Sequence, residues 1–286
     1  MAPITFHLIS VNDENVFLET VRSAPVDAKP HYVGHCKHWI HSPKASVDAL
    51  TGTGSRMHKW DYLVIANAQA NDPLALPSYL QDNTTILNHW SITAPDDLST
   101  ASDDDARKAT PPTLPPGWSP SDYSSLIASD PPSDVEASLA LTATPLGASK
   151  QDPPQDLKSF ISGFGQSHTG PISMFNIIAC NPNKRSSYFD YIAAYRESVG
   201  SRYGGGAQFF APGATDWSSR VAEGAQVADP KANGSGVWED VALVWYPSIW
   251  HFGKMLDDPD YAEADRKFKV GVIHDNPILC CTEVVL

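Results

Sequence analysis

The stretch 237–286, VWEDVALVWYPSIWHFGKMLDDPDYAEADRKFKVGVIHDNPILCCTEVVL, constrains the fold more than any other part of the chain. Residues 241–246 form an unbroken apolar run containing β-branched and aromatic residues, which reads as a buried strand. Pro247 ends it, because proline lacks the N–H that a ladder needs. Ser248 then caps a helix carrying Ile249, Trp250, Phe252, Met255 and Leu256. Asp257–Asp258–Pro259 breaks that helix. With Asp258 as cap and Pro259 in the first turn, a second helix runs through Tyr261, Ala264 and Phe268. Asn276–Pro277 stops it, and 278–285 is a further strand. The order is strand, helix, strand, with the helical part laid over one sheet face.

Pro247–Ser248 followed ten residues on by Asp258–Pro259–Asp260–Tyr261 resembles the "PS … SPEY" signature of a small family in the dimeric α+β barrel superfamily, with Asp258 where that family has Ser. The resemblance implies a ferredoxin-like unit, β-α-β-β-α-β. Barrels of this kind host cyclases, monooxygenases and haem enzymes, so the fold alone names no activity.

The rest of the chain is consistent with two such units. Strands are expected at 4–11, 32–41, 59–67 and 88–93, with a helix at 15–23 and another within 76–87, so 1–94 spells one unit. Residues 95–154 hold eleven of the 24 prolines, the acidic run 103–105 and many Ser, Thr and Ala, and bury too little apolar surface to offset chain entropy. The segment 95–170 therefore reads as a linker with a short helix near its end. A second unit, 171–286, opens on a strand at 172–180. Its helix at 185–200 places Tyr188, Tyr191, Ile192, Tyr195 and Val199 on one face. Gly204–Gly206 stops that helix, a strand starts at 207, and 213–236 is a Gly-, Asp- and Ser-rich insertion. The expected fold class is α+β: two ferredoxin-like β-α-β-β-α-β units forming an intramolecular dimeric α+β barrel. The whole chain also resembles two-unit proteins of filamentous fungi to which no activity is attached. Pairing strand edges within one molecule points to a monomer or a weak homodimer.

The net charge is −13, which argues against nucleic acid and anionic membranes as partners. No window suits a bilayer span, and MAPITFHLISVN has no basic n-region with a long apolar core, so a cytoplasmic protein is expected. Cys36, Cys180, Cys280 and Cys281 contain no CxxC, and a reduced state is expected. Asn83-Thr-Thr and Asn233-Gly-Ser match glycosylation sequons by chance if no secretory signal is present. No nucleotide-binding, hydrolase or metalloprotease motif is present.

Six of the ten histidines lie in the first 58 residues. Strict alternation in the second strand puts His35, Lys37, Trp39 and His41 on one face and the more apolar Gly34, Cys36, His38 and Ile40 on the other. The apolar set is expected to face the helices, leaving Trp39 as a platform and His35 as a titratable group on the open face. His35, His38 and His41 do not converge on a strand, so no zinc site is expected. FHLISV resembles the "KHLIVL" start of the stress-responsive A/B barrel proteins, which include polyketide cyclases, and the resemblance places His7 in the cleft. A histidine there can exchange a proton at an enolisable carbon or a phenol. His251, one turn into a helix, is a third candidate, either at the cleft mouth or as a haem ligand. Tyr62, Trp245 and Tyr246 are candidate pocket walls. Asn176, the lone polar residue in MFNIIA, either orients a ligand or ties two strands together. Arg202–Tyr203–Gly204–Gly205–Gly206 follows a helix instead of preceding one, so it is no anion loop.

The function these residues imply is a cofactor-independent enzyme. It would act on a small hydrophobic molecule, aromatic or polyketide-like, by histidine acid–base catalysis in cyclisation, isomerisation or elimination. The alternatives are a non-catalytic small-molecule-binding protein and a haem-dependent barrel enzyme.

Overall fold

The computed structural model describes residues 3–41, 59–94, 154–212, 215–216, 238 and 240–286. The linker expected at 95–154, apart from its last residue, and most of the insertion expected at 213–236 lie outside the described residues.

The elements run β1 (Ile4–Val11), α1 (Glu14–Arg22), β2 (Tyr32–His41), β3 (Tyr62–Asn67), α2 (Ser78–Gln81) and β4 (Ile86–Ala94). There follow α3 (Pro154–Ser167), β5 (Ile172–Cys180), α4 (Arg185–Tyr195) continued by a π turn (Arg196–Gly200), β6 (Gly206–Pro212) and β7 (Thr215–Asp216). Then come β8 (Asp240–Tyr246), α5 (Ile249–Leu256), α6 (Pro259–Phe268), β9 (Ile273–Asp275) and β10 (Ile278–Glu283). The protein is a mixed α+β fold. Its strands form one antiparallel path, β6-β8-β5-β10-β2-β3-β1-β4-β7, with β9 added on β5. No described helix is long and apolar enough to cross a membrane.

The caps fall where the residue types demand. The Asp13 side chain accepts from Val16 N–H, Ser248 from His251 N–H and Asp258 from Asp260 N–H. The helix expected within 76–87 shrinks to Ser78–Gln81. The four residues that follow turn back through Asn83, whose side chain accepts from Thr85 N–H and Oγ1–H.

One face of the sheet carries a core shared by both halves. Ile4, Phe6, Leu8, Trp90 and Ile92 from the first half pack with Phe175, Ile177, Val241 and Leu243 from the second. Phe6 stacks on Phe175 at 5.7 Å and meets Phe209 edge-on at 6.2 Å. The other face is covered by helices in each half. Ile9, Val33, Tyr62 and Val64 pack against Phe17 and Val21 of α1 and Leu80 of α2. Met174, Tyr246 and Ile278 pack against α3, α5 and α6.

This arrangement corrects the expected faces. His7 lies on the helix-facing side with Ile9, because Ile4, Phe6 and Leu8 fill the shared core. Every residue from Ile4 to Ser10 is buried, so alternation alone could not separate the two sides. In β2 the alternation is broken. The register with β10 shifts between Ile278 and Leu279 and again between Cys280 and Cys281, adding an unpaired β2 residue each time. Cys36 and Trp39 therefore both reach the shared core, His38 and Ile40 turn toward α3, and His35 meets Tyr62 under α1.

Candidate functional site

A cavity of about 330 Å³ lies between sheet and helices in the second half. Its floor is the helix-facing side of β5, β6, β8 and β10, including Met174, Asn176, Ala207, Ala242 and Tyr246. Its roof comes from Tyr188, Tyr191, Ile192 and Tyr195 of α4, Arg196 of the π turn, Phe252 and Met255 of α5, Tyr261 of α6, and Lys269.

The roof is clamped at both ends. The Arg185 guanidinium, at the start of α4, donates two hydrogen bonds to the fully buried Asp240 carboxylate of β8, at 2.6 and 3.2 Å. Beyond the π turn, Arg202 donates to Asp258 Oδ2 at 2.7 Å and to Asp260 Oδ2 at 2.8 Å, and the Tyr203 hydroxyl donates to Asp258 Oδ2 at 2.6 Å. Burial opposes the Asp258 charge, but the bonds from Tyr203, the Asp260 amide and Arg202 outweigh it and hold the carboxyl below its ordinary range.

Five tyrosines line the cavity. The Tyr195 and Tyr246 hydroxyls are 2.7 Å apart, and Tyr246 Oη donates to Met255 Sδ at 3.4 Å. Burial raises Tyr195 to about 12 and carries Tyr191, Tyr246 and Tyr261 well above the ordinary phenol value. All remain neutral donors near pH 7. Lys269 is also buried, with Nζ 3.0 Å from Asp265 Oδ1, 3.5 Å from Tyr261 Oη and 4.7 Å from the centre of the Tyr191 ring. Burial disfavours its charge, but Asp265 and Tyr191 more than compensate, so the ammonium persists above its usual range.

The tyrosine pair depends on a glycine. A Cβ at Gly205 would sit 2.6 Å from Tyr195 Oη and 2.9 Å from Tyr246 Cε1. Gly205 follows Gly204, which has a φ of +69° and stops the helix as its type suggests. The sequence disclosed the stop but not the room it leaves. The π turn, the other irregularity here, is a feature that recurs at functional sites.

Of the candidates read from sequence, Asn176 and Tyr246 line this cavity. Asn176 Nδ2 donates to Met174 O within its own strand at 2.9 Å, so it does not bridge to a neighbouring strand through that bond. His7, His35, Trp39, Tyr62, Trp245 and His251 do not line it. His7 is fully buried beside β4, with Nδ1 2.7 Å from Ser91 Oγ and Nε2 without a partner. Burial, with His89 nearby, lowers its pKa to about 3. His35 stacks on Tyr62 at 5.2 Å, accepts from Lys37 Nζ at 3.0 Å and lies 3.8 Å from Glu14. Burial and Lys37 lower its pKa. The Tyr62 ring packs on Phe17 and its hydroxyl donates to Glu14. Trp39 packs against the shared core, and Trp245 is half-buried in β8. His251 is buried with Nδ1 2.8 Å from the Ser248 capping oxygen.

These placements bear on haem. His7 is packed beneath α1 and α2, and His251 turns back to its own cap. Neither lines the cavity, so neither histidine is placed to ligate an iron held there. Among the described residues, no three His, Cys, Asp or Glu side chains gather as metal ligands.

The residues missed by sequence reasoning are Tyr188, Tyr191, Tyr195, Arg196, Tyr261 and Lys269. The tyrosines read as an ordinary core stripe, which they also are. Their one signal was chemical: a buried stripe of tyrosine, in place of leucine, needs partners for its hydroxyls.

No protein-family model and no curated protein matches the chain. Among solved structures it is similar to RPA0582, a protein of unknown function from Rhodopseudomonas palustris, in two crystal structures. The structure of the methylated form has TM-score 0.34 and 20% identity, covering 47% of this chain and 94% of that one. The other has TM-score 0.34 and 19% identity, covering 47% and 96%. At this level the likeness carries no argument.

Proposed function

We propose that the protein binds a small, largely aromatic molecule in the second-half cavity. The observation that carries this reading is the lining itself: five neutral tyrosines, two amides, a serine and two cations set among apolar side chains around about 330 Å³. That is the low end of the size range for small-molecule pockets, with the usual balance of apolar walls and a few polar groups. Tyrosine rings stack on planar ligands while their hydroxyls fix orientation.

A catalytic version is supported by the Tyr195–Tyr246 pair: Tyr195 donates to Tyr246, whose own proton rests on the weak acceptor Met255 Sδ and can turn to a substrate oxygen instead. A tyrosine would then be the general acid, in place of the histidine suggested by sequence. The fold reading that supports a built pocket is two ferredoxin-like units closed into one α+β barrel. Both halves carry the order 2-3-1-4 of their principal strands, and the path ends, β6 and β7, are separated in sequence only by 213–214.

The test is extraction of small molecules from freshly purified protein, followed by calorimetry of wild type against Ala207→Trp, which fills the cavity. A co-purifying aromatic compound that binds wild type and fails to bind the filled, folded variant is expected. Equal binding to both would remove this cavity from consideration.

A further inference from the structure

We propose that the ligand is an aromatic carboxylate, its ring system held among the tyrosines and its carboxylate at Arg196 at the cavity rim. This rests on the binding reading above and sharpens it to a chemical class.

The argument begins with charge. The chain as a whole is acidic, at −13. Yet the described residues lining the cavity include two cations, Arg196 and Lys269, and no aspartate or glutamate. In so acidic a protein, a cavity lined with cations alone selects for negative charge. The two cations are not equivalent. Lys269 is answered at depth by Asp265, 3.0 Å away, so that pair adds little net charge. Arg196 is exposed and makes no side-chain hydrogen bond or ion pair with any described residue. Its planar fork suits a carboxylate held by two parallel hydrogen bonds.

The backbone puts Arg196 there. It opens the π turn directly after Tyr195, so the residue that carries the hydroxyl pair and the residue that carries the free charge are consecutive. The deep end of the cavity offers ring faces and phenol donors, whereas the rim offers the cation. A neutral aromatic leaves Arg196 unanswered. A small inorganic anion leaves the tyrosine walls empty. A planar molecule with one acidic end answers both.

The experiment uses the full chain, isothermal calorimetry at pH 7, and two near-isosteric probes, 2-naphthoate and 2-naphthamide. Wild type is expected to bind the acid about tenfold more tightly than the amide, with the difference shrinking as salt is raised. Arg196→Gln, an exposed change that spares the core, is expected to bring the two within about twofold by weakening the acid alone. Equal affinity of wild type for both probes would overturn the carboxylate assignment and leave the binding reading standing. So would a uniform loss for both probes in Arg196→Gln. Binding of neither probe to wild type would overturn both.

Discussion

The two halves use the same strand order and fill the space under their helices in opposite ways. In the first half, α1 has nine residues and α2 four, and Phe17, Val21 and Leu80 close directly onto Ile9, Tyr62 and Val64. In the second, α4 has eleven residues before its π turn and carries three tyrosines, and α5 and α6 add eighteen helical residues beside it. Large rings whose hydroxyls need partners hold that roof off the sheet. The difference teaches that the cavity follows from side-chain choice on the roof, while the sheet beneath is shared in plan.

The comparison can be broken most directly at the core both halves share. Phe6→Ala removes a fully buried ring that touches Phe175 and Phe209. It is expected to destabilise by about 3–5 kcal/mol and to shift the unfolding of both halves together. Two separate transitions in denaturant, with only one displaced, would show that the halves stand apart.

The halves should also differ in pH response. His7 has a folded pKa of about 3, below its unfolded value, so the unfolded chain binds the extra proton first. Stability from His7 is complete above the unfolded value and is lost as pH falls toward 3, on the order of 5 kcal/mol. His7→Gln is expected to flatten that acid limb in denaturation midpoints measured against pH. The tyrosines of the second half have raised pKa values, so their contribution is complete below the ordinary phenol value and is lost as pH rises past it. Phenolate absorbance should therefore appear together with unfolding, not before it.

Smaller effects test the cavity alone. Gly205→Ala pushes against Tyr195 and Tyr246 and is expected to cost about 1–3 kcal/mol and to weaken ligand binding. Tyr195→Phe deletes one hydroxyl of the 2.7 Å pair and is expected to cost about 1 kcal/mol. Chemical denaturation reads both. An unchanged midpoint in Gly205→Ala would mean that the tyrosines move aside freely.

Much of the element order was legible because strong punctuation marks it. Pro247, Ser248, Asp258 and Pro259 bracket α5 and α6 as their chemistry requires, and β1, β2 and β5 occupy the expected spans. The inside and outside of the sheet were not legible. Both sides of β1 are buried, so period two has no contrast to report, and the two bulges in β2 reset the count between His35 and His41. That error put His7, His35 and Cys36 on the wrong sides, whereas Trp39 does lie on the face away from the helices. Asn176 stood out in the sequence because it is polar in an apolar strand. Lys269 did not, because a lysine ending a helix looks ordinary until Asp265, Tyr191 and Tyr261 are seen to close around it.

The β2–β10 seam also governs how the chain can reach this structure. β2 is the second strand in chain order and β10 the last of those described, with Cys36 paired to Cys281. During synthesis, that side of β2 waits unpaired while more than two hundred residues follow. Closing so long a loop is slow, and an unpaired edge invites the wrong neighbour in the meantime. The bulges and Lys37 that confuse the sequence pattern are the features that make such an edge a poor template. What reads as irregularity in the finished sheet acts, on the way to it, as a guard against premature pairing.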